Sequence, residues 1–312
     1  MREISPKLKP FIDAFNAAVP ALMAAGYKAT AVNAREWLAN TTRDLVTDIP
    51  EIEAVWDEVV PTHGYNVPIR IYHPAPSEQR PVLIHYHGGG HMAGSVTVYD
   101  SISRKIAQAT GCIVVSVEYR LAPESPYPHG LNDAYGVAKN LFSVLTARQI
   151  NFLPKLSLVG DSAGGALVAS VIGKAQFDPE LTIDKAIMIY PSLDYTLSYP
   201  SVEQNAVGYL LQKSKVIWYY DHYFQNAENR KAVSPLFGDF TARMPETLMV
   251  TAEFCPLRDE DFAYLEKLRE VGVQTTHLHF PDMPHTFMNM EDLVKEECQQ
   301  VYDAMATFMK GA

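Results

Sequence analysis

The pentapeptide Gly160-Asp161-Ser162-Ala163-Gly164 satisfies G-x-S-x-G, the pattern of a sharp strand-to-helix turn that holds a serine hydroxyl where it can attack a carbonyl. Its context fits, because the apolar run Leu156–Val159 precedes it and residues 163–177 suit a helix. Small neighbours are needed where the backbone folds back so tightly. The pentapeptide alone also describes an ordinary glycine-rich turn, so its place after a strand carries the weight.

Two further segments complete that chemistry. His87-Gly88-Gly89-Gly90 follows the apolar strand Val82–His85, where uncovered backbone amides can meet a developing oxyanion. Gly88, Gly89 and Ala163 are the expected donors. His285 lies after the last strand and before the terminal helix, the position of the base in the order nucleophile, acid, histidine. The chain has ten histidines, most with structural work to do, so position singles this one out. A competing reading makes His85-x-His87, with His91 nearby, a metal site. No carboxylate accompanies that cluster in sequence, and no metal is expected.

These residues need a rigid frame. Apolar, β-branched runs at Val82–His85, Cys112–Val117, Leu156–Val159, Ala186–Tyr190, Thr247–Thr251 and Thr275–Phe280 alternate with helical stretches, which predicts a mostly parallel sheet covered by helices on both faces. Ahead of them Ala54–Val60 and Val67–Tyr72, joined through His63-Gly64, read as an antiparallel hairpin, giving eight strands. Val294, Cys298, Val301, Met305 and Phe308 form one apolar stripe on the last helix, so Cys298 is a packing residue. Residues 1–48, with apolar positions at helical spacing, and an aromatic-rich insertion at about 198–226 containing Trp218-Tyr219-Tyr220, are expected to form a helical lid on a catalytic domain spanning 49–312.

Composition narrows the partners. A formal net charge of −10 in 312 residues argues against nucleic acid or an anionic membrane and favours a neutral or weakly polar small molecule. There is no apolar run of membrane-spanning length and no secretory apolar core near Met1, so a cytoplasmic location is expected. Cys112, Cys255 and Cys298 are too few and too scattered for a disulfide framework. A homodimer is one assembly the sequence allows.

Taken together, the HGGG and GDSAGG segments, Tyr119-Arg120-Leu121-Ala122-Pro123-Glu124, Asp133-Ala134-Tyr135, Tyr190-Pro191-Ser192-Leu193-Asp194, Gly208-Tyr209-Leu210-Leu211 and Pro256-Leu257-Arg258-Asp259-Glu260 resemble the hormone-sensitive-lipase-like esterases across nearly the whole chain. The resemblance implies an α/β-hydrolase fold, no cofactor, and hydrolysis of short-to-medium acyl esters. Its substrate pocket is expected to include His91, Tyr209 and Phe287, while Asp161 and Glu124 read as structural hydrogen-bonding residues.

One departure matters. The family's acid is the first residue of an Asp-Pro-Leu-Arg-Asp-Glu motif, and here that residue is Cys255. A neutral thiol is a weak hydrogen-bond partner for imidazole. Glu253, two residues upstream and so expected on the same side of the strand end, is the candidate substitute acid, with Asp259 and Asp282 less well placed. The alternatives are a slow enzyme, an engineered cysteine, or a ligand-binding protein that keeps the fold.

Overall fold

The computed structural model describes residues 2–311. In chain order the helices are α1 (Lys9–Ala24), α2 (Ala31–Leu45), α3 (Asp100–Thr110), α4 (His129–Ala147), α5 (Ala163–Ala175), α6 (Pro200–Gln204), α7 (Lys213–Tyr223), α8 (Arg230–Val233), α9 (Arg258–Glu270) and α10 (Lys295–Lys310). The strands are β1 (Ala54–Thr62), β2 (Tyr65–His73), β3 (Arg80–Tyr86), β4 (Ile113–Val117), β5 (Phe152–Asp161), β6 (Lys185–Ile189), β7 (Glu246–Phe254) and β8 (Thr275–Pro284).

They form one eight-stranded sheet in the order β1-β2-β4-β3-β5-β6-β7-β8. The first hairpin is antiparallel, with Thr62 opposite Tyr65, and β2 also runs antiparallel to β4; every other neighbouring pair is parallel. Alternation within each strand sorts side chains to opposite faces. Leu83, Val114, Val159, Ile187 and Leu248 pack with Ile102 and Ile106 of α3 and Val301 and Met305 of α10. Their neighbours Ile84, Val115, Leu158, Met188 and Met249 pack with Leu141 of α4, Val168 of α5 and Leu265 of α9 on the other face. Cys298 belongs to the α10 stripe, fully buried.

The strand order reverses at β3, which lies between β4 and β5, and the carboxyl ends at such a switch open a crevice. Over it lie helices from two distant stretches. Ile12 of α1, Leu38 of α2, and Val216 and Tyr220 of α7 join the same apolar cluster, and Asn16 Nδ2 donates to Gly208 O at 3.0 Å. The guanidinium of Arg35 on α2 donates to Met92 O and Ala122 O and pairs with Glu124, which ties α2 to the loops after β3 and β4. No helix among the described residues is long and apolar enough to cross a membrane.

Candidate active site

Ser162 stands between β5 and α5 with φ +54° and ψ −118°, a conformation that costs a non-glycine residue on the order of 1–3 kcal/mol. Packing holds it there. A Cβ on Gly164 would sit 1.9 Å from the carbonyl oxygen of Tyr86, so only glycine lets the turn press against β3. Ser162 N–H donates to Ile189 O at 2.8 Å, fixing the turn to β6 as well.

The turn aims the hydroxyl at His285. Ser162 Oγ lies 2.8 Å from His285 Nε2, and His285 Nδ1 lies 3.1 Å from Cys255 Sγ. Leu257 N–H also donates to that sulfur, at 3.3 Å. All three side chains are buried. Burial pushes the imidazole pKa down to about 3. It pushes the Cys255 thiol well up, helped by nearby Asp261 and opposed by the Leu257 N–H. Asp261 is itself fully buried with both carboxyl oxygens unpartnered, and burial raises its pKa. The relay is therefore neutral throughout.

Glu253 does not reach this relay, contrary to the sequence expectation. Its carboxylate pairs with Arg258 Nη1 at 2.7 Å, with Arg2, and with His279 Nε2 at 3.4 Å. The two-residue alternation that suggested otherwise is broken by a register irregularity between Ala252 and Phe254, and Cys255 lies beyond the strand end. Asp259 is also engaged elsewhere, by Arg258 and Ser201 N–H.

The glycine loop after β3 needs a second correction. Gly88 N–H donates to Asp161 Oδ1 at 2.8 Å, so this amide is already occupied. Tyr99 O–H donates to the other oxygen at 3.1 Å, and burial raises Asp161 to about 7 despite both bonds. The amides of Gly89 and Gly90 have no acceptor among the described residues. Ala163 N–H is an orphan by position, being the first residue of α5. Gly89 has φ +120°, and a Cβ there would fall 2.2 Å from Ala93 O. Three uncommitted amides thus flank Ser162, from Gly89, Gly90 and Ala163. The sequence offers no sign that Asp161 occupies the first glycine's amide and leaves the third's free.

The loop histidines serve as scaffold. His87 stacks on Tyr119 with centroids 4.4 Å apart, and its Nδ1 lies 2.8 Å from Gly88 O; His85 Nδ1 bonds Ser103 Oγ at 2.9 Å. Among the described residues no group of three or more His, Cys, Asp or Glu side chains is arranged to hold a metal.

A family model for the alpha/beta hydrolase fold matches residues 83–289, which takes in the glycine loop, the serine turn and His285. The chain belongs to the hormone-sensitive-lipase-like family of α/β hydrolases. It is 33% identical to the ethyl acetate hydrolase of Pseudomonas putida over 239 residues, 75% of each chain. Carboxylesterase NlhH of Mycobacterium tuberculosis is 30% identical over 324 aligned residues, 99% of this chain and 96% of that one. The hyperthermophilic esterase of the archaeon Pyrobaculum calidifontis superposes with a TM-score of 0.88 at 29% identity, covering 99% of this chain and 98% of its own.

In this hydrolase a cavity of about 530 Å³ opens over Ser162 and His285. Gly89, Gly90 and Ala163 line it, as do Phe15, Trp37 and Tyr219 from the covering helices and Leu211 from the loop ahead of α7. His91 lines it too, fully buried and stacked on Tyr223 with centroids 3.9 Å apart. Two residues expected in the pocket lie elsewhere. Tyr209 packs on Phe254, centroids 4.6 Å apart, while Phe287 is a core residue between Tyr190 and Phe280. The sequence did not reveal which way either ring turns.

Proposed function

We propose that this chain is a serine carboxylesterase that cleaves short-to-medium acyl esters through an acyl-enzyme on Ser162. The observation that carries the reading is the 2.8 Å contact between Ser162 Oγ and His285 Nε2 on a strained turn, flanked by uncommitted amides. The esterase names of its relatives agree with it.

In the proposed reaction His285 Nε2 takes the proton of Ser162 as Oγ attacks the ester carbonyl. The amides of Gly89, Gly90 and Ala163 bind the oxyanion, each contributing on the order of 3 kcal/mol in the transition state. Protonated His285 returns the proton to the departing alcohol. Water, deprotonated by the same imidazole, then releases the acid. Residues 2–48 and about 198–226 act as a lid that shapes the cavity and limits water entry.

Cys255 occupies the acid's place but performs its task poorly. For Nε2 to accept from serine, Nδ1 must carry the proton and donate to the sulfur, which already accepts from Leu257. A carboxylate enforces that tautomer and stabilises the imidazolium. A protonated thiol does neither well, because S–H can instead donate to Nδ1 and leave the unproductive tautomer. Slow turnover is the consequence, and a catalytically weakened ligand-binding protein of the same fold is the second reading it favours.

Steady-state hydrolysis of p-nitrophenyl acetate and butyrate, with Ser162→Ala as blank, tests the first reading. Turnover above the blank supports it. Rates equal to the blank, with ester binding intact by calorimetry, would select the ligand-binding protein.

A further inference from the structure

The cavity over Ser162 has one cationic side chain in its lining, Lys215, in the first turn of α7. Its neighbour Lys213 is ion-paired with Glu203. Lys215 has no such partner among the described residues. Its ammonium lies over the rings of Trp218 and Tyr219, 4.3 and 5.0 Å from their centroids, and the first turn of α7 contains no acidic residue. The cavity's one carboxyl, on Asp161, is taken up by Gly88 N–H and Tyr99 O–H.

A half-buried ammonium in a mostly apolar, aromatic cleft gives up hydration that the ring faces replace only in part. The burial lowers its pKa with no carboxylate to oppose the shift. The chain's net charge of −10 repels anions at a distance. That field is largely screened beyond about 8 Å at physiological ionic strength, so a group already inside the cavity responds to the local charge.

We propose that Lys215 recognises an anionic group, a carboxylate, on the part of the substrate remote from the scissile ester. The substrate class is then half-esters of dicarboxylic acids, with the charge on the acyl side, or O-acylated hydroxy acids, with the charge on the alcohol side. This rests on the ester-hydrolase reading and gives it a specificity that an apolar pocket alone cannot supply. A charge-assisted hydrogen bond from the ammonium to such a carboxylate corresponds to a preference on the order of tenfold or more over the neutral ester.

The test measures kcat/KM of the wild type, Lys215→Met and Lys215→Arg on two matched pairs. One pair is monoethyl adipate beside diethyl adipate, and the other is 4-acetoxybenzoate beside its methyl ester. The expected result is that the wild type favours the anionic member of one pair, which also identifies the charged side. Lys215→Met should lower that anionic-to-neutral ratio about tenfold, mainly through KM, while Lys215→Arg keeps it. Thermal melting checks that both variants fold. Ratios unchanged within twofold in Lys215→Met for both pairs overturn the proposal and leave the esterase reading standing. If the wild type cleaves none of the four and does not turn over p-nitrophenyl butyrate above the Ser162→Ala blank, the esterase reading fails instead. Calorimetric binding of monoethyl adipate then decides: affinity lost in Lys215→Met upholds recognition of the anion, and equal or absent affinity refutes it.

Discussion

Replacing Cys255 by aspartate should raise the turnover of this protein by about 10³-fold or more. The sulfur sits 3.1 Å from His285 Nδ1 and 3.3 Å from Leu257 N, so a carboxylate in its place would accept both N–H groups as charge-assisted bonds. The present cost of forming imidazolium follows from burial. A drop in the His285 pKa from 6.5 to about 3, at 1.36 kcal/mol per pH unit, is about 5 kcal/mol. Loss of the acid in other serine hydrolases costs about 10⁴-fold, roughly 5.5 kcal/mol, which is the same size. Recovery should fall short of this, because the new charge enters a fully buried site beside Asp261 and Glu260, whose pKa values burial already raises. The assay is steady-state cleavage of p-nitrophenyl butyrate by wild type and Cys255→Asp, with Ser162→Ala subtracted. A change below about threefold, with the wild type well above the blank, would refute the reasoning, since Cys255 would then not limit proton transfer.

Glu253→Gln should leave kcat within about threefold while lowering the urea midpoint, because the carboxylate supports Arg258 and Arg2 rather than His285; the loss should be about 1–3 kcal/mol. The wild-type kcat/KM profile should keep His285 active as a base well below pH 6.5, and Cys255→Asp should move the acidic limb upward, because a facing carboxylate favours the imidazolium. Stability should fall with acid. His85, His91 and His285 have folded pKa values of about 3 and His87 of about 4, so below pH 6.5 the unfolded chain binds more protons and destabilises the fold. Asp161, raised to about 7, works in the opposite direction over the same range, so the denaturant midpoint between pH 6.5 and 5 should drop less in the wild type than in Asp161→Asn. Ser162→Gly should be more stable than Ser162→Ala by about 1 kcal/mol in urea titrations, since glycine relieves the strained φ of +54°.

Much of this frame was readable before the structure. Strands such as Val82–His85 and Leu156–Val159 are buried on both faces, and that condition writes itself as short apolar runs between helix-length segments. The serine turn and the glycine loop were equally plain, because close backbone approach demands glycine at Gly164 and Gly89. What escaped was side-chain direction beyond the ends of regular elements. Alternation placed Glu253 beside Cys255, but beyond the irregularity after Ala252 it pairs with Arg258, five residues on, and with Arg2 from the far end of the chain. Likewise, nothing local indicated that Asp161 would claim the Gly88 amide, or that Tyr209 would settle on Phe254. Each is a contact between distant segments, and pattern along one chain does not encode it. In sequence nothing distinguishes Lys215 from other surface lysines; its lack of a counter-ion depends on what the fold brings near it.

The central claim is that Ser162, activated by His285, is the acyl acceptor. The most direct measurement is intact-mass and peptide mapping after reaction with a fluorophosphonate. The account predicts a single adduct on Ser162, absent from Ser162→Ala, slower in His285→Ala and formed faster in Cys255→Asp. An adduct on another residue, or labelling and ester cleavage that persist in Ser162→Ala, would contradict it.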